Sequence, residues 1–178
     1  VSPASGNVAV GAWKTFTCTY SDPNGATDLS SCYLVINSSL SPSGGAYVIY
    51  NRSTNKFYMK NNAWAQIGGV LRGTATPLAS ENAALDCVAT TVTTSGNNLI
   101  IAWRVQFKSP MQGKNCNLYM MASDSLGVTS GWLSKGTFTI FSPAPTITSF
   151  TPTSGSAWTR LTITGTNLTR ATAVKFNG

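Results

Sequence analysis

The sequence contains no histidine and only five acidic residues among its 178 positions. Without histidine, no Ser–His or Cys–His catalytic pair can form, and the commonest side chain for binding transition metals is missing. The glycine-containing stretches match neither a phosphate-binding loop nor a dinucleotide-binding fingerprint. Glu81 and Asp86 lie in and beside a predicted loop with no companion pattern, unlike the paired carboxylates of a glycosidase. We therefore expect a protein that is not an enzyme and has no organic cofactor.

Charged residues are also scarce, at 10% of the sequence, against roughly 25% in an average soluble domain. Serine, threonine, asparagine and glycine take their place, as in an extracellular β-protein that stays soluble through hydroxyl and amide groups. The net charge of +7 comes from twelve scattered basic residues. Nucleic-acid binding needs such residues in a patch or stripe, so we expect no nucleic-acid partner and only a weak attraction to anionic glycans or the cell envelope.

No apolar stretch reaches the length needed to span a membrane, and no signal peptide is present. The sequence begins at Val1 rather than at a methionine. We therefore expect a mature form or an excised portion of a longer protein. The polar, weakly charged composition favours a location outside the cell or at its surface.

Short alternating runs of apolar and polar residues recur along the chain, separated by clusters of Gly, Pro, Asn and Ser. This pattern, without sustained helical periodicity, is typical of an all-β sandwich or barrel. In the run Leu99–Phe107 the alternation is regular, and we interpret Trp103 as a core residue. The strands predicted within residues 1–142 are Asn7–Val10, Trp13–Tyr20, Cys32–Asn37, Ala46–Tyr50, Lys56–Lys60, Ala63–Ile67, Leu85–Thr93, Leu99–Phe107, Asn117–Ala122 and Gly136–Phe141.

A short proline-rich stretch at residues 143–145 is the predicted linker between a sandwich at residues 1–142 and a second domain at residues 146–178. The segment Ser2–Asn7 (SPASGN) is echoed by Thr151–Ser156 (TPTSGS), and each is followed by a Thr-rich strand. Two domains that open in the same way indicate a tandem array of sandwich modules. Since an immunoglobulin-type sandwich needs about 100 residues, we expect the second domain to be incomplete.

Several segments also resemble known families. PTITSFTPTSG, LTITGTNL and AVKFNG, within residues 145–178, resemble the first part of an IPT/TIG domain, which has an immunoglobulin-like (Ig-like) fold. TFTCTYSDPNGATDL, KFYMKNNAW, NNLIIAWRVQFKS and LYMMASDSLGVTSGW, within residues 1–142, resemble the Ig-like repeats of large secreted or surface proteins of bacteria. The resemblance implies an all-β, Ig-like β-sandwich followed by the opening strands of a second one. Members of such families mostly serve as spacers, adhesive stalks or accessory modules.

Four cysteines without a Cys-x-x-Cys motif favour two disulfides and an oxidising location over a metal site. In the predicted strand order, Cys18 and Cys32 lie at one end of the sandwich, and Cys87 and Cys116 lie at the other. We therefore favour the pairs Cys18–Cys32 and Cys87–Cys116. The other two connectivities are Cys18–Cys87 with Cys32–Cys116 and Cys18–Cys116 with Cys32–Cys87, and four reduced, buried thiols are a further alternative.

Three of the five acidic residues fall in two predicted loops, with Asp22 and Asp28 in one and Asp124 in the other. Such loops share one end of an Ig-type sandwich, so these carboxylates, with Asn24 and loop carbonyls, would offer calcium its oxygen ligands. The alternative, which we favour, is that Asp22 and Asp124 cap local turns.

The aromatic residues Tyr47, Tyr58, Trp64 and Trp158 form a candidate sugar-stacking set. They would serve in this way if they were exposed in one coplanar strip. Packing among the strands is the alternative that we favour for the first three.

Together these features predict a non-catalytic structural module of an extracellular bacterial filament, stalk or surface protein. Its partners would be other copies of itself or adjoining Ig-like domains, with strand completion either by the same polypeptide or between subunits. The alternatives are a glycan-binding accessory module of a secreted hydrolase or adhesin, and an Ig-like domain of a phage virion.

Overall fold

The structure is a computed structural model that describes residues 1–175. Its internal contacts divide the chain into two units, Val1–Ser142 and Pro143–Gly178. The strands of the first unit are β1 (Ser5–Ala9), β2 (Trp13–Ser21), β3 (Leu29–Asn37), β4 (Ala46–Asn51), β5 (Lys56–Lys60), β6 (Gln66–Leu71), β7 (Leu78–Ala79), β8 (Ala83–Leu85), β9 (Thr91–Ser95), β10 (Asn98–Phe107), β11 (Asn115–Asp124) and β12 (Leu133–Phe141).

These strands form two facing sheets. One has the order β1-β12-β11-β3-β4-β5-β6, and the other has the order β2-β10-β8-β7, with β9 also paired to β10. All neighbours are antiparallel except β1 and β12, which run parallel. The prediction of an all-β, Ig-like β-sandwich is confirmed.

The core lies between the inner faces of the two sheets. In β10, the buried residues alternate strictly with partly exposed ones, and Trp103 is 0% exposed, as predicted for a core residue. Its ring contacts Phe57 of the facing sheet at 5.9 Å between centroids. Phe16 of β2 contacts Phe138 of β12 at 5.1 Å. Fully burying one such large apolar side chain contributes about 1.5–3 kcal/mol, so these ring pairs hold the sheets together.

A small polar network is buried within this core. The Trp103 Nε1–H group donates to the Tyr20 hydroxyl at 3.2 Å, and that hydroxyl donates to the Tyr33 carbonyl at 3.0 Å. Tyr20 therefore gives the buried indole a partner and links β2 to β3 of the opposite sheet.

Two predicted strands differ from the structure. Ala63–Ile67 overlaps β6 only at Gln66 and Ile67, and Leu85–Thr93 is interrupted by a turn. The Asp86 side chain accepts hydrogen bonds from the backbone N–H groups of Val88 at 3.0 Å and Ala89 at 2.9 Å. These bonds close a turn at residues 87–89, which separates β8 from β9. A carboxylate that satisfies successive backbone donors competes directly with the sheet ladder.

The second unit contains β13 (Thr146–Thr151) and β14 (Thr162–Thr166), which pair antiparallel, and a 3-10 turn at Leu168–Arg170. Ile147 is 57% exposed and Phe150 is 46% exposed, so this hairpin leaves apolar surface in contact with solvent. The last β-prone run, AVKF, begins at Ala173; its described part is not a strand, and residues 176–178 lie outside the described residues.

The two units open with the same strand pairing. Ser2 bridges Thr17 of β2 through two backbone hydrogen bonds of 2.8 Å. Thr151 pairs with Thr162 of β14 in the same antiparallel sense. Ser2 and Thr151 are the first residues of the repeated motif, which comprises Ser2–Asn7 and Thr151–Ser156, and each directly precedes its proline.

The core network generates a prediction about Tyr20. Tyr20→Phe should lower the free energy of unfolding by about 1–3 kcal/mol, because the Trp103 Nε1–H group loses its partner while it stays buried. Urea denaturation measures the loss. Tyr58→Phe, the same change at a partly exposed tyrosine, is the control. An equal loss in both variants would contradict the role given to the Tyr20 hydroxyl.

Candidate functional site

The acidic loop cluster, Asp22, Asp28 and Asp124, lies where the β2–β3 loop meets the end of β11. One carboxylate oxygen from each residue lies within 4.8 Å of those of the other two, and all three residues are partly exposed. The sandwich thus brings together the three acids that the sequence assigned to two loops. A groove of about 310 Å³ beside them is lined by Asp22, Asn24 and Asp124, among others.

Two carboxylates of the acidic loop cluster, those of Asp22 and Asp124, each hold their own loop. Asp22 Oδ1 accepts from the Asn24 backbone N–H at 2.8 Å. Asp124 Oδ1 accepts from the backbone N–H groups of Leu126 at 2.9 Å and Val128 at 2.8 Å. These hydrogen bonds are the turn caps that we expected from the sequence for Asp22 and Asp124.

Asp28 joins the two loops. Its carboxylate accepts from the Ser125 hydroxyl and, at 3.4 Å, from the Asn24 side-chain amide. The Ser125 hydrogen bond is the main cause that lowers the pKa of Asp28 below its usual value. Asn24, expected among the calcium ligands, thus presents its donor group to the cluster. The three carboxylates still offer oxygens of the kind that calcium takes, but calcium needs six to eight oxygen ligands, and its binding here stays a prediction.

A second group of residues, the outer aromatic cluster, lies on the outer face of the seven-stranded sheet. It comprises Tyr33, Tyr47, Tyr58, Tyr119 and Trp132, packed around Val35 and Ile49. The rings meet edge to face, with Tyr47 and Trp132 at 5.8 Å and 74°, and Tyr33 and Tyr47 at 6.4 Å and 86°.

The candidate sugar-stacking residues are distributed unevenly in the structure. Tyr47 is 7% exposed, within the outer aromatic cluster, whereas Trp64 is 54% exposed. The Lys60 ammonium lies over both rings, at 5.8 Å from the Tyr47 centroid and 5.7 Å from the Trp64 centroid. Trp158 is fully exposed but belongs to the second unit. The edge-to-face geometry and the burial of Tyr47 agree with packing for Tyr47, and Tyr58 packs in the same cluster. The exposure of Trp64 does not agree with the packing role favoured for it.

Sequence reasoning missed Tyr33, Tyr119 and Trp132 as members of the outer aromatic cluster. A signal was present in β4, where Ala46–Tyr50 is apolar at every position, and this indicates a strand covered on both faces. Residues Ala46 through Tyr50 are indeed all buried.

The four cysteines are buried free thiols, so neither predicted disulfide is present in this structure. Cys18 of β2 and Cys32 of β3 lie in facing sheets within one core cluster. Cys87 lies in the turn after β8 instead of opening a long strand, which removes the premise for pairing it with Cys116. The pairings stay predictions.

Burial governs the chemistry of these thiols. It raises the pKa of Cys18 to about 12 and that of Cys116 to about 11, and it also raises the pKa values of Cys32 and Cys87. Since the thiolate is the reactive form, these raised pKa values lower the fraction of reactive thiolate at neutral pH.

The family match falls within the second unit. Residues 145–178 match the IPT/TIG domain family. This match confirms the resemblance found in that stretch.

Among solved structures, the chain is similar to one described as a GspB Siglec domain, with 20% sequence identity and a TM-score of 0.38. That match covers 82% of this chain and 57% of the other, and a likeness of this size does not bear on function. No curated protein sequence matches the chain significantly. Within residues 1–175, no helix has the length and hydropathy needed to cross a membrane.

The Ser125–Asp28 bond generates a pH prediction. The pKa of Asp28 is lower in the folded state than in the unfolded state. The ionised carboxylate therefore contributes its full stabilisation above the unfolded pKa, and this stabilisation is lost as the pH falls through the folded pKa. Ser125→Ala should raise the Asp28 pKa in a carboxyl-detected NMR titration, with Ser53→Ala as the control for an exposed loop serine. An unchanged Asp28 pKa in Ser125→Ala would contradict the assignment.

The acidic loop cluster generates a second prediction, which separates turn capping from calcium binding. Turn capping predicts equal melting temperatures in EDTA and in millimolar calcium, while Asp124→Ala lowers stability by about 1 kcal/mol because the two loop N–H groups lose their acceptor. A melting temperature that rises with calcium and falls back with EDTA would contradict simple capping and establish the cation site.

Proposed function

We propose that this chain is a non-catalytic structural module of an extracellular bacterial filament, stalk or surface protein, in which Ig-like domains follow one another in tandem. The observation that carries the proposal is the repeated opening of the two units. In each unit, the first residue of the repeated motif pairs antiparallel with a threonine of the following strand. These pairs are Ser2 with Thr17 and Thr151 with Thr162.

The chemistry of the surface supports this proposal. One groove of the first unit is open and lined mostly by polar side chains, among them Arg52, Arg72 and Thr93, and it does not have the enclosed apolar shape of a small-molecule site. The second unit exposes apolar side chains to solvent, such as Ile147 and Phe150. A protein partner would bury these side chains.

Strand completion is the means of assembly that fits the second unit. A two-stranded hairpin is marginally stable at best in water, and three or more strands with a buried face are needed for independent stability. The hairpin of β13 and β14 therefore gains stability when further strands cover its apolar residues. An added strand supplies main-chain hydrogen bonds for affinity and side-chain pockets for specificity.

Glycan binding is the second candidate function, and Trp64 is the observation that favours it. Its ring is more than half exposed and lies beside the Lys60 ammonium. An exposed aromatic face next to a cation suits an acidic sugar. The supporting platform is narrow, because the neighbouring Tyr47 ring is buried against Trp132.

Electron microscopy of the native material separates the two functions. The structural function predicts ordered fibres or surface stalks with a repeating Ig-sized unit. The structural function would be contradicted if the native material contained free monomers only. Glycan-array binding that is abolished by Trp64→Ala but kept in Trp13→Ala would then favour the second candidate.

A further inference from the structure

Two arginines lie at one end of the seven-stranded sheet of the first unit. β4 ends at Asn51 and β5 begins at Lys56, so Arg52 opens the turn between them, and Arg72 directly follows β6. Lys56 pairs with Asn51 on one side and with Leu71 on the other. Because the ends of these three strands meet here, the register of the sheet carries both arginines to the same place.

Local hydrogen bonds hold the turn that carries Arg52. The Asn51 side-chain oxygen accepts from the Thr54 backbone N–H at 3.0 Å. Asn55 adopts a left-handed backbone with a φ of 53°, which asparagine tolerates better than most residues. The Asn55 carbonyl accepts from the Arg72 backbone N–H at 3.3 Å. The turn and the residue after β6 are thus tied to each other.

Each of the two guanidinium groups is anchored on the backbone of another element. Arg52 donates to the Thr27 carbonyl at 2.9 Å, and Arg72 donates to the Val92 carbonyl of β9 at 2.9 Å. A guanidinium carries several N–H donors, so one such bond fixes its position and leaves other donors available. Among residues 1–175, no carboxylate pairs with either guanidinium.

Both positive charges act on one buried hydroxyl group. Burial raises the pKa of Tyr50, and the charges of Arg72 and Arg52 both act in the opposite direction. Tyr50 is 5% exposed, and its hydroxyl donates to Asn55 Oδ1 at 3.0 Å. The two charges therefore converge on the space around this hydroxyl.

These side chains line an open groove of about 510 Å³, whose wall also includes Ser53, Thr93 and Thr94. The hydroxyl groups of these three residues can both donate and accept hydrogen bonds. A guanidinium meets a carboxylate through two parallel hydrogen bonds, with more energy and specificity than a neutral pair. The groove therefore offers two unpaired cations for an anion and hydroxyl groups for a polyhydroxylated carrier of that anion.

A sugar chain fits this groove better than a peptide does. A peptide that bound beside β9 would add a strand to its edge through main-chain hydrogen bonds. The Val92 carbonyl of β9 is already the acceptor for Arg72, so that edge is less suited to an added strand. Sugar hydroxyls need only the side-chain donors and acceptors that Ser53, Thr93 and Thr94 present.

We propose that the groove between Arg52 and Arg72 binds an acidic polysaccharide, with the carboxylate of an acidic sugar held between the two guanidinium groups. This site goes beyond the structural function proposed above and does not depend on it. It is also separate from the candidate glycan surface at Trp64, because Trp64 lies in the turn at the opposite end of β5 and β6.

The test titrates the isotopically labelled whole chain with an oligosaccharide of uronic acids, and a neutral oligosaccharide of equal length is the control. The Nε–H resonances of Arg52 and Arg72 should shift in a saturable way with the acidic probe, whereas that of Arg104 should not. The neutral probe should cause no such shifts. This comparison needs no change to the protein, so it stays valid if a variant fails to fold.

Protein variants locate the site. Arg52→Gln and Arg72→Gln should each weaken the binding of the acidic oligosaccharide by about tenfold, because each removes a charge-assisted pair. Arg104→Gln is the same change on β10 outside the groove, and it should keep the affinity of the unchanged chain. Trp64→Ala should also keep it.

Several results would overturn the proposal. These are no saturable shift at Arg52 and Arg72, full affinity in both glutamine variants, or tighter binding of a sulfated oligosaccharide of equal length. Equal binding of a polyglutamate peptide would assign the groove to acidic peptides instead. Binding that is lost in Trp64→Ala and kept in the arginine variants would place glycan recognition at Trp64. Fibres by microscopy with no shifts at the two arginines would overturn this site alone and leave the structural function intact.

Discussion

The first unit depends on one constraint, the burial of the inner face of β10 against the opposite sheet. Every second side chain of β10 from Leu99 to Phe107 points into the core, with Trp103 at its centre. β10 pairs with β2 on one side and with β8 and β9 on the other. A slip of one residue would turn that whole set of side chains to solvent, so the apolar face of β10 fixes the register of its whole sheet.

The acidic loop cluster follows from that packing. Because β2 and β3 lie in facing sheets and are joined by a short loop, Asp22 and Asp28 are carried to the end of β11, where Asp124 lies. The outer aromatic cluster has a different origin, because it covers the outer face of the long sheet around Val35 and Ile49. The first site is a product of loop geometry and the second of a strand that is apolar on both faces.

Much of the fold could be predicted from the sequence, because alternation with period two reports a strand that covers a core on one side. The run Leu99–Phe107 agrees with β10 to within one residue, and Trp103 is buried as expected. The prediction failed where a single side chain decides the backbone. Asp86 caps the turn that breaks the predicted strand Leu85–Thr93. The β-propensity of a segment does not predict a hydrogen bond from one side chain to the local backbone.

The site was harder to predict, because its members meet only through the fold. The Ig-type topology sufficed to bring the three loop acids together, since it places the relevant loops at one end. It did not reveal that Trp132 would cover Tyr33 and Tyr47, because that contact depends on how the chain after β11 folds back over the sheet.

The central claim is that the second unit opens as the first does and is completed by further strands. Amide hydrogen exchange of the native assembled material, compared with the isolated 178-residue chain, tests this most directly. The account predicts that the amides of β13 and β14 exchange slowly in the native material and rapidly in the isolated chain. Equally rapid exchange of these amides in both samples would contradict it.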